Sequence, residues 1–67
     1  MNRGEFESKW KEISSRVKYN NVEVEYGYNF VVTPESYSIV GNTVFLKGFY
    51  FTFEVPLEDI KELRVSI

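Results

Sequence analysis

The 67-residue sequence contains no cysteine and no histidine. Without cysteine no disulfide can stabilise the fold, and without either residue the common ligand sets for zinc and copper are missing. Any catalysis would rely on carboxylates, tyrosine, serine or lysine alone. Glycine and proline are also scarce, with four and two residues, and no Gly-rich phosphate-binding loop occurs. We therefore expect a protein that is not an enzyme and that holds no cofactor.

Clusters of positive charge and long apolar runs are missing as well. Eight basic residues stand against ten acidic ones, for a formal net charge of −2. This balance argues against a nucleic-acid partner, because contacts to phosphates need clustered Lys and Arg. No apolar run reaches the roughly 18 residues of a membrane-spanning helix, and the N-terminus is charged rather than signal-like. The expectation is a protein that does not enter the membrane and lies in the cytoplasm.

Aromatic residues are the abundant class. Six Phe, five Tyr and one Trp make up 18% of the chain. Each such side chain buries roughly 150–250 Å², so a few of them can build the core of a small fold. The length predicts one domain spanning residues 1–67.

The N-terminal segment has the pattern of an amphipathic helix. Asn2 and Glu5 have the spacing of a capping box, in which each side chain bonds the backbone of the other. Apolar residues then recur at helical intervals. The prediction is a helix over residues 3–18 with one apolar stripe: Phe6, Trp10, Ile13 and Val17.

From Val22 onward the apolar period changes to two, which is typical of strands. We expect a long strand over 22–32 bent at Gly27, a hairpin turning at Gly41-Asn42, and one helical turn at 57–60. The remaining strands are expected at 37–40, 43–47, 49–55 and 63–67. The predicted fold class is α+β, with the N-terminal helix packed on a four- or five-stranded antiparallel meander. Curling of this sheet into a half-barrel is the alternative.

The segment Lys47–Phe53 resembles the ribonucleoprotein motif of cold-shock and RNA-recognition domains. That resemblance implies rings that stack on nucleic-acid bases. Tyr50 stands where that motif has Gly or Ala. Strand alternation favours core positions instead. The helical stripe and this alternation together predict eight aromatic residues in the core: Phe6, Trp10, Tyr26, Tyr28, Phe30, Phe49, Phe51 and Phe53.

Four apolar residues alternate onto the opposite face of the predicted sheet: Val31, Val40, Phe45 and Tyr50. If neighbouring strands align them, they form an exposed apolar patch, and such patches mark interaction sites. Polar residues on the same face would supply the rim: Glu23, Glu25, Asn29, Thr52 and Glu54. In the half-barrel alternative the curled sheet encloses the apolar residues.

These features together predict a small non-enzymatic protein–protein interaction module of the inhibitor or adaptor type, for example a phage-encoded antagonist of a host protein. We expect it to bind another protein and to associate with itself as a homodimer or small homo-oligomer. The alternative is a binder of a small ligand or nucleotide that stacks on Tyr19, Tyr26, Tyr28 and Tyr50. A binder of single-stranded nucleic acid is the third candidate.

Overall fold

The computed structural model describes residues 1–16 and 22–66. This part of the chain forms one helix, six strands and a short 3₁₀ turn: α1 Arg3–Arg16, β1 Val22–Tyr26, β2 Phe30–Val32, β3 Ser36–Val40, β4 Thr43–Lys47, β5 Thr52–Pro56, the 3₁₀ turn Leu57–Asp59 and β6 Ile60–Val65. The strands form two antiparallel sheets, ordered β2-β1-β6 and β3-β4-β5. The α+β class is confirmed. The predicted single meander of four or five strands is wrong, and so is the half-barrel.

Helix α1 starts at the predicted capping box. The Asn2 Oδ1 atom accepts a hydrogen bond of 2.8 Å from the Glu5 amide, and the Asn2 amide donates to Glu5 Oε1 at 3.5 Å. These bonds satisfy amides that have no partner within the helix. The predicted helix start is therefore confirmed.

The apolar stripe of α1 faces the core as predicted. Phe6 and Ile13 are buried, and Trp10 is half-buried with its ring 4.8 Å from that of Tyr37 on β3. The helix is described as far as Arg16. The predicted stripe residue Val17 and the predicted end at residue 18 lie outside the described residues.

The long strand predicted over 22–32 is instead a hairpin of two short strands. β1 and β2 pair with Tyr26 opposite Phe30, and residues 27–29 form the turn between them. Gly27 has φ 59° and Asn29 has φ 63°. Left-handed backbone of this kind is tolerated best by glycine and asparagine, so the sequence Gly-Tyr-Asn reverses the chain where alternation alone predicted a continuous strand.

The β3–β4 hairpin is confirmed. Val40 lies opposite Thr43, and Gly41 and Asn42 form the turn between them. Gly41 has φ 59° and Asn42 does not have a positive φ, which is the φ pattern of a type II′ turn.

Strand β5 begins later than predicted, at Thr52 rather than Phe49. The Gly48 amide donates to the Phe51 carbonyl at 2.9 Å, which closes a tight turn over residues 48–51. Phe49 and Tyr50 therefore lie in a loop, where strand alternation does not apply.

The last strand returns to the first. After the predicted helical turn, which the 3₁₀ turn Leu57–Asp59 confirms, β6 pairs with β1 rather than with β5. Val24 lies opposite Leu63 in this pairing. This non-local pairing divides the strands into two sheets. The predicted strand over 63–67 starts earlier, at Ile60, and its last residue lies outside the described part.

Both sheets and the helix contribute to one buried cluster: Phe6, Ile13, Val22, Val24, Val44, Leu46, Val55, Leu57, Ile60 and Leu63. Each sheet therefore has an inner face toward this cluster and an outer face away from it. Within the described residues, no helix has the length and apolar character needed to cross a membrane.

Candidate interaction surface

Four aromatic rings form a continuous strip that joins the two sheets. Along the strip the order is Phe30, Tyr26, Phe53 and Phe51, with successive ring centroids 5.7, 6.4 and 5.1 Å apart. Phe30 and Tyr26 belong to the first sheet, Phe53 belongs to β5, and Phe51 immediately precedes that strand. We call these four rings the aromatic strip.

The strip is a continuation of the inner faces beyond the buried core. Phe53 shares the inner face of β5 with buried Val55, two residues away. Phe30 lies opposite Tyr26 on the inner face of the first sheet. Both belong to edge strands, where the cover from neighbouring elements ends. As a result Phe53 remains 40% exposed and Phe30 58% exposed.

Three more exposed rings lie in the turns next to the strands of the strip. Phe49 and Tyr50, with centroids 6.3 Å apart, are 81% and 99% exposed, and Tyr28 in the β1–β2 turn is 92% exposed. We call the strip and these three rings the aromatic surface. Its five exposed rings present about 700 Å² if a ring offers roughly 200 Å².

The predicted assignment of all eight aromatic residues to the core is therefore wrong in part. Phe6 is buried, and Trp10, Tyr26 and Phe51 are half-buried. Four others are exposed: Tyr28, Phe30, Phe49 and Phe53. Tyr28 and Phe49 lie in turns rather than strands, and the other two face the core side of a sheet where nothing in the described chain covers them.

Charged residues of both signs flank the aromatic surface. At the Phe30 end, a groove beside Tyr28 is also lined by Glu58, Asp59 and Lys61. Exposed Lys47, whose register partner is Thr52, alternates with Phe45 and so lies on the outer face of the second sheet, away from the strip. The charged residues beside the aromatic surface are therefore those at its Phe30 end.

The four residues of the predicted patch are not brought together: Val31, Val40, Phe45 and Tyr50. Val31 lies in β2, opposite Glu25 on the outer face of the first sheet. Val40 and Phe45 lie on the outer face of the second sheet, and Tyr50 belongs to the aromatic surface. Val40 is exposed, whereas Phe45 is half-buried between Ser38 and Glu54 on the neighbouring strands. A binding role for Val31, Val40 and Phe45 stays a prediction.

The predicted rim residues divide between the two sheets in the same way. Thr52 and Glu54 are exposed on β5. Glu23 and Glu25 lie on β1, and both accept hydrogen bonds from Arg64 of β6, the bond to Glu25 measuring 2.8 Å. The two glutamates therefore hold a cation of their own chain, which satisfies their charge within the outer face of the first sheet.

Arg64 is the residue that sequence reasoning missed. It also contacts Glu62 at 3.3 Å, so one guanidinium serves three carboxylates. Hydrogen bonds to Glu25 and Glu23 raise the pKa of the Arg64 guanidinium above its ordinary value. The sequence feature that could have identified Arg64 is the charge alternation in β6. Glu62 and Arg64 share one face of that strand, and such a face pairs best with another charged strand face.

Across residues 1–16 and 22–66, no three carboxylates are placed so that they could hold a metal ion. No protein-family model, no curated protein and no solved structure matches this chain. Among the described residues, the aromatic surface is the feature whose exposure is hardest to explain by folding alone.

Proposed function

We propose that this chain is a non-enzymatic protein-binding module of the inhibitor or adaptor type, and that its partner binds the aromatic surface. The observation that supports the proposal is the exposure of Phe30 and Phe53, two rings that face the core side of their sheets and yet stay open to solvent. Leaving core-side rings in water forfeits roughly 25 cal/mol for each Å². A partner that covers them recovers that free energy.

The shape and aromatic composition of the surface favour a polypeptide partner over a small molecule. Small-molecule sites are concave and enclose most of the ligand, whereas the aromatic surface extends over two sheets and a loop. Aromatic residues are also the class that dominates the binding energy of protein interfaces. The proposal moves the predicted site from the outer sheet faces to the aromatic surface, with Tyr50 common to both.

Site-specific photo-cross-linking tests this proposal. A benzophenone-bearing amino acid is placed at position 30 or 50, and at position 40 as the control on the outer face of the second sheet. We expect polypeptide cross-links from positions 30 and 50 in the cells that make the protein, and fewer from position 40. Cross-links concentrated at position 40 would contradict the aromatic surface as the binding site.

Each cross-linked polypeptide is then purified and its affinity measured. Phe30→Ser removes a ring that is largely exposed, so we expect the Kd to rise by about 30-fold, equivalent to the roughly 2 kcal/mol of an interface hot spot. Val40→Ser, a matched change at an exposed edge-strand residue, should change the Kd by less than about twofold. Equal effects of the two substitutions would refute the assignment.

The second candidate is a binder of flat rings, such as nucleotides or single-stranded nucleic acid. The observation that favours it is the exposure of Tyr28 and Tyr50, together with Phe49 of the motif that resembles the ribonucleoprotein motif. Tyr19, also named for this role, lies outside the described residues. Exposed rings can each contribute roughly 1–3 kcal/mol by stacking on a base.

Charge argues against this candidate. The net charge is −2, and two carboxylates, Glu58 and Asp59, line the groove beside Tyr28 against one cation, Lys61, so the groove disfavours phosphates on balance. Fluorescence anisotropy with a labelled oligothymidine and with labelled ATP separates the two proposals. We expect no binding at low salt, where electrostatic attraction is strongest. Binding that weakens as salt rises and is lost in Tyr50→Ser would favour the nucleic-acid candidate.

A further inference from the structure

We infer that the partner binds the aromatic surface as an extended strand that pairs with the outer edge of β5. The inference rests on the proposed function and names the conformation and chemistry of the partner segment. Side chains of this segment alternate, with apolar residues toward the strip rings and a basic residue on the opposite face.

The gap between the two sheets is covered on one side and open on the other. Helix α1 packs against β1 and β6 of the first sheet, and its Phe6 ring lies 4.9 Å from the Tyr37 ring on β3 of the second sheet. The helix therefore covers the side formed by the edge strands β6 and β3. The edge strands β2 and β5 form the opposite side, where Phe30 and Phe53 remain exposed. Within residues 1–16 and 22–66, only β4 pairs with β5.

Two hydrogen bonds establish how β5 pairs with β4. Beyond one end of the paired residues, the Leu57 amide donates to the Asn42 carbonyl at 2.7 Å. Beyond the other end, the Gly48 amide donates to the Phe51 carbonyl at 2.9 Å. Both bonds join an even-numbered residue on the β4 side to an odd-numbered residue on the β5 side. Because hydrogen-bonded and non-hydrogen-bonded positions alternate along an antiparallel pair, the odd-numbered residues of β5 bond to β4.

The even-numbered residues of β5 direct their backbone groups away from β4. Phe53 and Val55 bond to β4. The amides and carbonyls of Thr52 and Glu54 face outward, and no other residue of the described chain bonds to them. Pro56 has no amide and ends this edge. The outer edge of β5 therefore presents donors and acceptors in the spacing that an added strand requires.

An extended segment satisfies this edge and also covers the exposed ring beside it. In an antiparallel addition, the residue opposite Phe53 points to the inner face at a non-hydrogen-bonded position, where side chains approach most closely. An apolar residue at that position covers the Phe53 ring, which is 40% exposed. A helix bonds its own backbone groups internally, so a helical partner would leave the edge amides of β5 to water.

The charge of Glu54 favours a basic residue in the added strand. Its side chain is exposed on the outer face of β5, and neither Lys47 on that face nor any other described residue forms an ion pair with it. Opposite charges directly across an antiparallel pair stabilise the pairing. Two β5 edges paired about Glu54 would instead place like charges opposite each other, which disfavours a second copy of this chain as the added strand.

Amide NMR of the isotope-labelled chain with a synthetic peptide tests the inference. The probe peptide alternates lysine and valine over about seven residues, the length of an ordinary strand. The control peptide has the same residues in one valine block and one lysine block. At about 0.15 M salt, where long-range attraction is screened, we expect the alternating peptide to slow hydrogen exchange of the Thr52 and Glu54 amides at least about tenfold. The block peptide should bind at least about tenfold more weakly.

Two substitutions at one position separate the backbone from the charge. Glu54→Pro removes an outward amide, and edge strands accept proline where the amide faces solvent. We expect it to raise the Kd of the alternating peptide at least about tenfold. Glu54→Gln keeps the amide and removes only the charge, so it should raise the Kd by less than about fivefold. Thermal unfolding shows whether each variant is folded, and if Glu54→Pro is not, amide exchange in the parent chain decides the test.

The outcomes separate this inference from the proposed function. Failure of the alternating peptide to bind, slowed exchange confined to β2 or β3, or a Kd unchanged in folded Glu54→Pro would each overturn strand pairing at β5. A dimer of the chain that Glu54→Pro dissociates would make a second copy the added strand and would also overturn the inference. A polypeptide cross-linked at positions 30 and 50 whose Kd rises in Phe30→Ser and not in Glu54→Pro would support the proposed function while overturning the added strand.

Discussion

Substituting Gly48 by alanine should displace the Phe51 ring of the aromatic strip. A Cβ atom on Gly48 would lie less than 3.0 Å from three atoms of the Phe51 ring, closer than such carbons approach in folded proteins. Gly48 does not have a positive φ, so the backbone itself accepts alanine. The strain therefore falls on the ring, which must rotate away from the turn that the Gly48 amide closes onto the Phe51 carbonyl.

The size of the effect follows from what the ring loses. Phe51 is half-buried and packs 5.1 Å from Phe53, so rotation exposes on the order of 80–100 Å². At roughly 25 cal/mol per Å² this costs about 2 kcal/mol. Alanine also restricts the conformations of the unfolded chain, which offsets about 0.4–1 kcal/mol of this cost. We expect Gly48→Ala to lower the free energy of unfolding by about 1–2 kcal/mol.

Urea unfolding followed by circular dichroism measures this loss, and two further variants isolate its cause. Gly4→Ala is the matched control, because its Cβ meets only Asn2 Oδ1 at an ordinary 3.5 Å within α1. Alanine is the better helix former there, so the control should gain up to about 1 kcal/mol. In a Phe51→Ala background Gly48→Ala should cost nothing. An undiminished loss in that background would refute the ring clash as the cause.

Three other substitutions test separate parts of the fold. Gly27→Ala forces a left-handed φ of 59° on a residue with a side chain and places the new carbon 3.2 Å from the Phe30 ring. We expect it to lower the free energy of unfolding, measured by urea titration, by about 1–2 kcal/mol. Arg64→Met leaves three neighbouring carboxylates without their cation. Its melting temperature should fall at low salt, with a smaller difference from the parent chain in about 1 M NaCl; a difference independent of salt would contradict the charge argument. Burial, and next the charge of Glu7, raise the pKa of the Tyr37 hydroxyl above 10.0. The folded state then holds the hydroxyl proton more tightly than the unfolded state. The contribution of Tyr37 to the free energy of unfolding is therefore complete below pH 10.0 and is lost as the pH rises through the folded pKa. A parent chain that loses no more stability over this pH range than Tyr37→Phe would refute the assignment.

Local signals in the sequence predicted the helix and one hairpin well. The capping box at Asn2 and Glu5 and the turn at Gly41 depend on interactions between residues a few positions apart, so the sequence contains all the partners. The 3₁₀ turn after Pro56 was predictable for the same reason. Each of these elements is fixed by its own short segment.

The sheet organisation was not predictable from periodicity. Apolar residues alternate without a break from Val22 to Val32, so the pattern gives no indication of the turn at Gly27 and Asn29. The turn is indicated only by residue type, because glycine and asparagine tolerate left-handed backbone. The pairing of β6 with β1 depends on the complementarity of distant faces, such as the Arg64 guanidinium against Glu23 and Glu25. No single segment contains that information.

The candidate site shows what alternation can and cannot tell. It correctly placed Phe53 on the inner face of its sheet and Phe45 on the outer face. It could not tell which face is covered, because cover depends on the extent of the opposing elements. Phe45, on the outer face, is half-buried among its strand neighbours, whereas Phe53, on the inner face, is 40% exposed. The proposed binding surface therefore includes rings that face the core side at the edge of the core, so we expect substituting Phe45 to affect binding less than substituting Phe30.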